Sequence, residues 1–124
     1  MKRVNILLAE DDTRTGIVIS LALRALGHSV EVVPDGDRAL ARISERPAHY
    51  HILIVDHVMP NVSGLEIIRE LRGKSFAGKI VVLSGFLTET LMNAYRALGV
   101  ETFVEKPFEP DVLGALVRSL AHSM

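Results

Sequence analysis

Short apolar runs and amphipathic stretches alternate along the chain. Five of the runs are rich in β-branched residues and bounded by turn formers, which is typical of strands. The runs cover Val4 to Ala9, Ser29 to Val33, Ile52 to Val55, Ile80 to Leu83 and Thr102 to Glu105. Between them, apolar residues recur at helical spacing. The pattern predicts five strand–helix pairs, and therefore a parallel sheet with helices on both faces.

The polarity of the runs also predicts the order of the strands. The first, third and fourth runs are almost wholly apolar, as central strands of a parallel sheet are. The second and fifth carry Glu31, Thr102 and Glu105, which suits edge strands. The order 2-1-3-4-5 follows. In such a sheet, ligands bind beyond the carboxyl ends of the strands, where the order reverses between strands one and three.

Glycines predict where three of the helices end. Gly27, Gly73 and Gly99 each follow a helical stretch that ends in leucine or arginine. Helices commonly close with a left-handed residue, and glycine adopts that conformation without strain. We therefore expect all three glycines to be left-handed.

Composition narrows the class of protein. The 124 residues suit one domain, residues 1–124, with no room for an effector domain. A net charge of −1 disfavours direct binding to nucleic acid through bulk charge. Cysteine is absent, which excludes disulfides and thiolate metal sites. No stretch approaches the length of a membrane span, so we expect a soluble, cytoplasmic protein without membrane contact.

Polar residues follow four of the predicted strands at their carboxyl ends. They are Glu10, Asp11 and Asp12 after strand one, Asp56 after strand three, Ser84 after strand four and Lys106 after strand five. In the predicted order these strands are neighbours, so the side chains should share one cleft. Asp12 is expected to cap the following helix. The coincidence of the others favours a functional site.

The residue types in this cleft suit phosphoryl chemistry. Clustered carboxylates repel one another unless a proton or cation offsets their charge. An all-oxygen site with room for water suits Mg²⁺, which readily shares its coordination shell with phosphate. Asp56 can then act as a nucleophile, with Lys106 and Ser84 contacting the transferred group.

Four motifs carry a family resemblance that extends over the whole chain. They are ILLAEDD at residues 6–12, ILIVDHVMPNVSG at 52–64, VVLSG at 81–85 and FVEKPF at 103–108. Together, at this spacing, they resemble the receiver domain of two-component response regulators, of the chemotaxis-regulator type. The resemblance implies a three-layer (βα)5 flavodoxin-like fold, a phosphorelay role, and no enzyme activity beyond the domain's own phosphorylation and slow dephosphorylation.

The resemblance also implies a role for each site residue. Asp56 is the phosphoacceptor, supplied by a histidine kinase or phosphotransfer protein. Mg²⁺ is held by Glu10, Asp11, Asp56 and the backbone carbonyl of Val58, with Asp11 the more direct ligand of the acidic pair. The residues that bind the phosphoryl group and switch the domain are Ser84, Lys106 and Phe103. Pro107 is expected to follow a cis peptide bond.

The expected output surface comprises helix four, strand five and helix five. A downstream protein or a fused output domain would bind there, and the domain would be a monomer or a weak dimer through the same surface. The chain is either a stand-alone regulator or a fragment of a larger regulator or hybrid kinase. Two apolar residues, Val58 and Phe86, occupy positions that tune dephosphorylation in the family. Because neither can hydrogen-bond a hydrolytic water, we expect a long-lived phosphoryl state.

Two other functions suit the sequence less well. A phosphatase acting through an aspartyl phosphate usually places its nucleophile after strand one, with a second aspartate two residues later, which Glu10-Asp11-Asp12 does not match. A flavin binder needs a phosphate-cradling loop after strand one, where three acids would repel the phosphate. His57 is expected to point away from the cleft, because adjacent strand residues face opposite sides. None of the five histidines is expected to be functional.

Overall fold

Five strands alternate with five helices in a computed structural model of the chain, which describes residues 2–74 and 76–124. The strands are β1 (Asn5–Ala9), β2 (Ser29–Val33), β3 (Ile52–Asp56), β4 (Lys79–Ser84) and β5 (Thr102–Glu105). The helices are α1 (Thr13–Ala25), α2 (Gly36–Glu45), α3 (Gly64–Gly73), α4 (Glu89–Arg96) and α5 (Pro110–His122). The alternation predicted from the apolar pattern is confirmed.

The strands form one parallel sheet in the order β2-β1-β3-β4-β5. The predicted flavodoxin-like order is therefore confirmed, including the placement of the two more polar strands at the edges. Register aligns the carboxyl ends, since Ala9 pairs with Val55 and Asp56 pairs with Leu83. The residues that follow β1, β3, β4 and β5 consequently meet at one edge of the sheet.

Successive strand residues face opposite sides of the sheet and form two separate cores. On one side, Ile6 and Leu8 pack with residues of α1 and α5, such as Ile19 and Val117. On the other side, Leu7 packs with residues of α2, α3 and α4. The three layers are thus two helices, the sheet and three helices.

Side chains at the carboxyl edge cap the helices that begin there. The carboxylate of Asp12 accepts a hydrogen bond from the backbone N–H of Thr15, as predicted for a helix N-cap. Ser63 and Glu66 form a reciprocal capping box at the start of α3. These caps fix the loops that border the cleft.

The prediction for the glycines holds at two positions and is wrong at the third. Gly27 and Gly99 have φ values of 96° and 84°. Gly73, by contrast, is the last residue of α3 and lacks a positive φ. The helix is closed instead by Lys74, which has a φ of −108°. The N–H of Lys74 donates to the carbonyl of Leu71. No left-handed residue is needed there.

The five helices all lie within residues 2–74 and 76–124. None of these helices combines the length and the apolar character that a bilayer span requires.

Candidate functional site

A lysine joins two buried carboxylates at the carboxyl edge of the sheet. Lys106 Nζ lies 2.6 Å from Asp56 Oδ2 and 2.9 Å from Glu10 Oε1. The Glu10 side chain is fully buried, that of Asp56 is 8% exposed and that of Lys106 is 26% exposed. The cluster is therefore open to solvent mainly on the lysine side.

Backbone contacts explain how residues so distant in sequence meet. Glu10 directly follows β1, Asp56 ends β3 and Lys106 directly follows β5. The N–H of Lys106 donates to the carbonyl of Ser84 at the end of β4 (2.8 Å). The peptide bond between Lys106 and Pro107 is cis, the isomer that the resemblance implies. The lysine is thus anchored beside β4 and reaches across it to β3 and β1.

Three carboxylates in this cluster are close enough to share a cation. Oxygen atoms of Glu10, Asp11 and Asp56 all lie within 4.8 Å of one another. With Lys106 as the paired cation, the fully ionised group has a net charge of −2. Oxygen donors with excess negative charge and one exposed member, Asp11, fit a hydrated Mg²⁺. The residues present therefore fit the ion that the sequence predicted.

Burial and charge affect Glu10 and Lys106 differently. Burial, reinforced by the neighbouring Asp56, raises the pKa of Glu10 to about 7, although the hydrogen bond from Lys106 opposes this shift. Burial alone would lower the pKa of Lys106, but its hydrogen bonds to Asp56 and Glu10 raise it instead. The lysine therefore stays charged, whereas the pKa of Glu10 lies close to neutral pH.

The backbone of Val58 contacts the candidate nucleophile. Its N–H donates to Asp56 Oδ1 at 3.1 Å, so both carboxylate oxygens of Asp56 have partners. The side chain of Val58 is 71% exposed and that of Phe86 is 77% exposed. Two apolar side chains therefore stand in solvent on the loops after β3 and β4.

Ser84 and Phe103, the two predicted switch residues, lie on neighbouring strands. Ser84 is buried, and its Oγ accepts a hydrogen bond from the N–H of Phe86 (3.2 Å). Phe103 is half-buried and packs edge-on against Tyr95 of α4, with ring centroids 6.0 Å apart. The guanidinium carbon of Arg96 lies over the Phe103 ring, 5.6 Å from its centroid. Phe103 is thus in contact with α4.

His57 is the residue whose contacts the sequence did not indicate. Its side chain lies outside the Glu10–Asp56–Lys106 cluster, and its Nδ1 is 2.6 Å from the hydroxyl oxygen of Tyr95. Tyr95 is fully buried, and this burial together with the charge of Asp56 raises its pKa well above the usual range. In the sequence, Tyr95 falls on an apolar stripe at helical spacing with Leu91 and Leu98, which by itself indicates only a core position. Its hydroxyl was the available signal, because a buried tyrosine usually hydrogen-bonds a partner.

The known proteins that this chain resembles are response regulators. The model of the response regulator receiver domain matches residues 6–118. The two-component response regulator PhoP of Pseudomonas aeruginosa is 34% identical over 119 residues, which are 94% of this chain and 51% of PhoP. The two-component response regulator ORR41 of Oryza sativa subsp. japonica is 29% identical over 94% of this chain and 93% of ORR41.

Solved structures agree with the sequence matches. The chemotaxis protein CheY4 of Vibrio cholerae superposes with a TM-score of 0.88 at 25% identity, covering 95% of this chain and 98% of CheY4. The chain spans about half the length of PhoP and nearly all of ORR41.

Proposed function

The chain belongs to the response regulator receiver domain family of two-component systems, and on that premise we propose that Asp56 accepts a phosphoryl group and thereby switches the surface of α4, β5 and α5. Domains of this family are signalling modules, and they bind Mg²⁺ at an acidic pocket. The family match also disfavours the phosphatase and the flavin binder as readings of this fold.

The observation that carries the proposal is the bridge that Lys106 makes to Asp56 and Glu10. A phosphoryl group on Asp56 brings about −1.5 to −2 charges and three acceptor oxygens. Lys106 Nζ, already 2.6 Å from Asp56, is placed to pair with those oxygens. The other described residues provide no second buried carboxylate with a cation at this distance.

The transfer itself needs a nucleophile that is fixed and ionised. An oxygen of Asp56 attacks the phosphorus of a phosphohistidine on the donor protein. The new O–P bond forms as the N–P bond breaks, and the electron pair of the broken bond stays on the ring nitrogen of the donor. With its other ring nitrogen protonated, the donor histidine leaves as neutral imidazole. The hydrogen bond from Val58 N–H orients the Asp56 carboxylate for this attack.

Glu10, Asp11 and Asp56, with the carbonyl of Val58, are the proposed ligands of Mg²⁺. When bound, the ion supplies positive charge that stabilises the phosphoryl oxygens as the transfer proceeds. Glu10 and Asp11 would hold the ion beside Asp56, and Lys106 would neutralise the remaining charge.

Switching depends on two contacts to the phosphoryl group, one from Ser84 and one from Lys106. A hydrogen bond to a charged group contributes roughly 1.5 to 3 kcal/mol, and moving a population from 1:99 to 99:1 requires about 5.5 kcal/mol. One contact is too weak, and the two together, at roughly 3 to 6 kcal/mol, reach that value only near the upper end of their range. If Ser84 leaves its bond with Phe86 N–H, Phe103 can turn into the freed space and alter the surface next to α4.

The partners follow from the same scheme. A histidine kinase or phosphotransfer protein supplies the phosphoryl group, and a downstream protein or an attached output domain reads the α4–β5–α5 surface. Residues 1–124 act as one receiver domain in either arrangement, as monomer or weak dimer.

Phosphorylation by a small-molecule donor tests the proposal without knowledge of the kinase. The protein is incubated with phosphoramidate and Mg²⁺, and its intact mass is measured. We expect the mass gain of one phosphoryl group, its loss in Asp56→Asn, and its loss when EDTA removes Mg²⁺.

Asp35→Asn is the matched control, because Asp35 also follows a strand at the same edge and caps α2. Asparagine preserves the cap, so this variant should be phosphorylated like the wild type. A mass gain that persists in Asp56→Asn would contradict the proposal.

A further inference from the structure

The hydroxyl of Tyr95 reaches from α4 to the residue next to the phosphoacceptor. Its oxygen is 2.6 Å from His57 Nδ1, and the two rings meet edge-on with centroids 5.6 Å apart. Tyr95 is fully buried, whereas His57 is half-buried. This contact connects the end of β3 to α4 through side chains that do not include Ser84.

The same hydroxyl lies at the base of the loop between β3 and α3. That loop is closed by the N–H of Gly64, which donates to the carbonyl of His57 (3.0 Å). A Cβ added at Gly64 would lie only 2.6 Å from the Tyr95 hydroxyl and 3.1 Å from the carbonyl oxygen of Asp56. The absence of a side chain at Gly64 is therefore what admits the tyrosine. His57 is held in turn by its own N–H, which donates to Leu83 of β4 (2.9 Å).

Tyr95 also contacts Phe103, the predicted switch aromatic. Phe103 packs edge-on against Tyr95, and the neighbouring Arg96 covers the Phe103 ring. A movement of Phe103 must therefore disturb its contacts with two successive residues of α4. Tyr95 is thus in contact with β5 and with the loop at 57–63 that follows Asp56, which we call the phosphoacceptor loop.

From these contacts we infer that the His57–Tyr95 hydrogen bond is a positioning link that holds α4 against the phosphoacceptor loop and opposes its rearrangement. The link rests on the proposed function, because it regulates the response of α4 to the group on Asp56. It gives the loop a second connection to α4, in parallel with the one through Ser84 and Phe103.

Hydrogen exchange of the α4 backbone tests the link in the unphosphorylated protein. Tyr95→Phe keeps the ring and its contact with Phe103 but removes the hydroxyl. We expect exchange within α4 to become about threefold to tenfold faster, which is the range for loss of one hydrogen bond. His57→Leu removes the same hydrogen bond together with the ring contact, so it should speed α4 exchange at least as much. Adding Tyr95→Phe to His57→Leu should bring no further increase, because the bond is already lost.

Tyr50→Phe is the matched control, since Tyr50 is also buried and its hydroxyl donates to Glu31 at 2.7 Å near β2. It should leave α4 exchange unchanged. Unchanged α4 exchange in Tyr95→Phe, or an equal increase in every element of the fold, would overturn the link.

A second arm adds beryllofluoride and Mg²⁺ as a phosphoryl mimic. In the wild type we expect α4 exchange to change on addition, and in Tyr95→Phe we expect a smaller change because α4 is already loosened. A wild type that does not respond would overturn the proposed switch of α4. A full wild-type response in Tyr95→Phe would overturn the link while leaving the proposed function intact.

Discussion

Two clusters of this molecule pair a glutamate with a basic side chain, yet they differ in burial and in charge. Near the β2 edge, Arg42 Nε lies 2.6 Å from Glu31 Oε2, and the hydroxyl of Tyr50 donates to the other oxygen. At the carboxyl edge, Lys106 bridges Glu10 and Asp56. The Glu31 side chain is 39% exposed, whereas that of Glu10 is fully buried.

The pKa values of the two glutamates move in opposite directions. The hydrogen bond from Tyr50, with the contribution of Arg42, lowers the pKa of Glu31. Burial raises the pKa of Glu10. In the first cluster one acid meets one base and the charges are balanced. In the second, the acids outnumber the base while Glu10 and Asp56 are buried, so the cluster has excess negative charge that a cation can offset.

Removal of the base from each cluster should give the largest contrast. Lys106→Met leaves Glu10 and Asp56 facing each other without a cation. We expect the free energy of unfolding to fall by about 3 kcal/mol, the lower end for a broken buried pair, because the Lys106 side chain is 26% exposed. Arg42→Met, at a partly exposed pair that solvent screens, should lower it much less. Urea denaturation of both variants at pH 7 measures the difference, and equal losses would show that the buried cluster is no more dependent on its cation than the surface pair.

A substitution at Val58, which is exposed next to the buried cluster, should give the next largest effect. Val58 cannot hydrogen-bond a water that attacks the phosphoryl group, so we expect slow loss of phosphate from Asp56. Val58→Asn adds a group able to orient such a water and should shorten the phosphoryl lifetime by about tenfold, equivalent to about 1.4 kcal/mol in the barrier.

The measurement is the decay of the phosphorylated species by intact mass after the donor and kinase are removed, with Mg²⁺ present. Val32→Asn on β2, where Val32 is also exposed, is the control. A wild-type phosphoryl group lost within seconds would refute the expected stability.

The smallest effect concerns the surface cluster and pH. Because the folded state lowers the pKa of Glu31, this carboxylate stabilises the fold above its unfolded pKa, and the contribution disappears as the pH falls through the lower, folded value. Glu31→Gln should therefore reduce the free energy of unfolding at pH 7 by less than about 1 kcal/mol, since the side chain is exposed. At pH 3 the difference in unfolding free energy between Glu31→Gln and the wild type should be smaller than at pH 7. A larger difference at pH 3 would contradict the expected pH dependence.

The sheet and its site were predictable because both depend on strand polarity. Apolar runs distinguish the central strands from the edges, and strand order alone then brings Glu10, Asp56 and Lys106 to one end. Helix ends were less predictable. At α3 the expected left-handed Gly73 was not needed, because the N–H of Lys74 hydrogen-bonds the carbonyl of Leu71 and ends the helix.

The His57–Tyr95 contact was not predictable in this way. Alternation along β3 correctly kept His57 out of the carboxylate cluster, but which residue it meets depends on how α4 packs over the β3–α3 loop. That packing is three-dimensional and requires the space beside Gly64. The identity of the partner proteins also lies beyond strand patterns, because it depends on surfaces of other molecules.

The most direct test of the central claim is to locate the phosphoryl group on the chain. The protein is phosphorylated with phosphoramidate and Mg²⁺, reduced with borohydride to convert the acyl phosphate to an alcohol, and mapped by peptide mass spectrometry. We predict homoserine at position 56 and an unmodified Glu31. Conversion at another carboxylate, with Asp56 unmodified, would contradict the assignment of the buried cluster as the phosphoacceptor site.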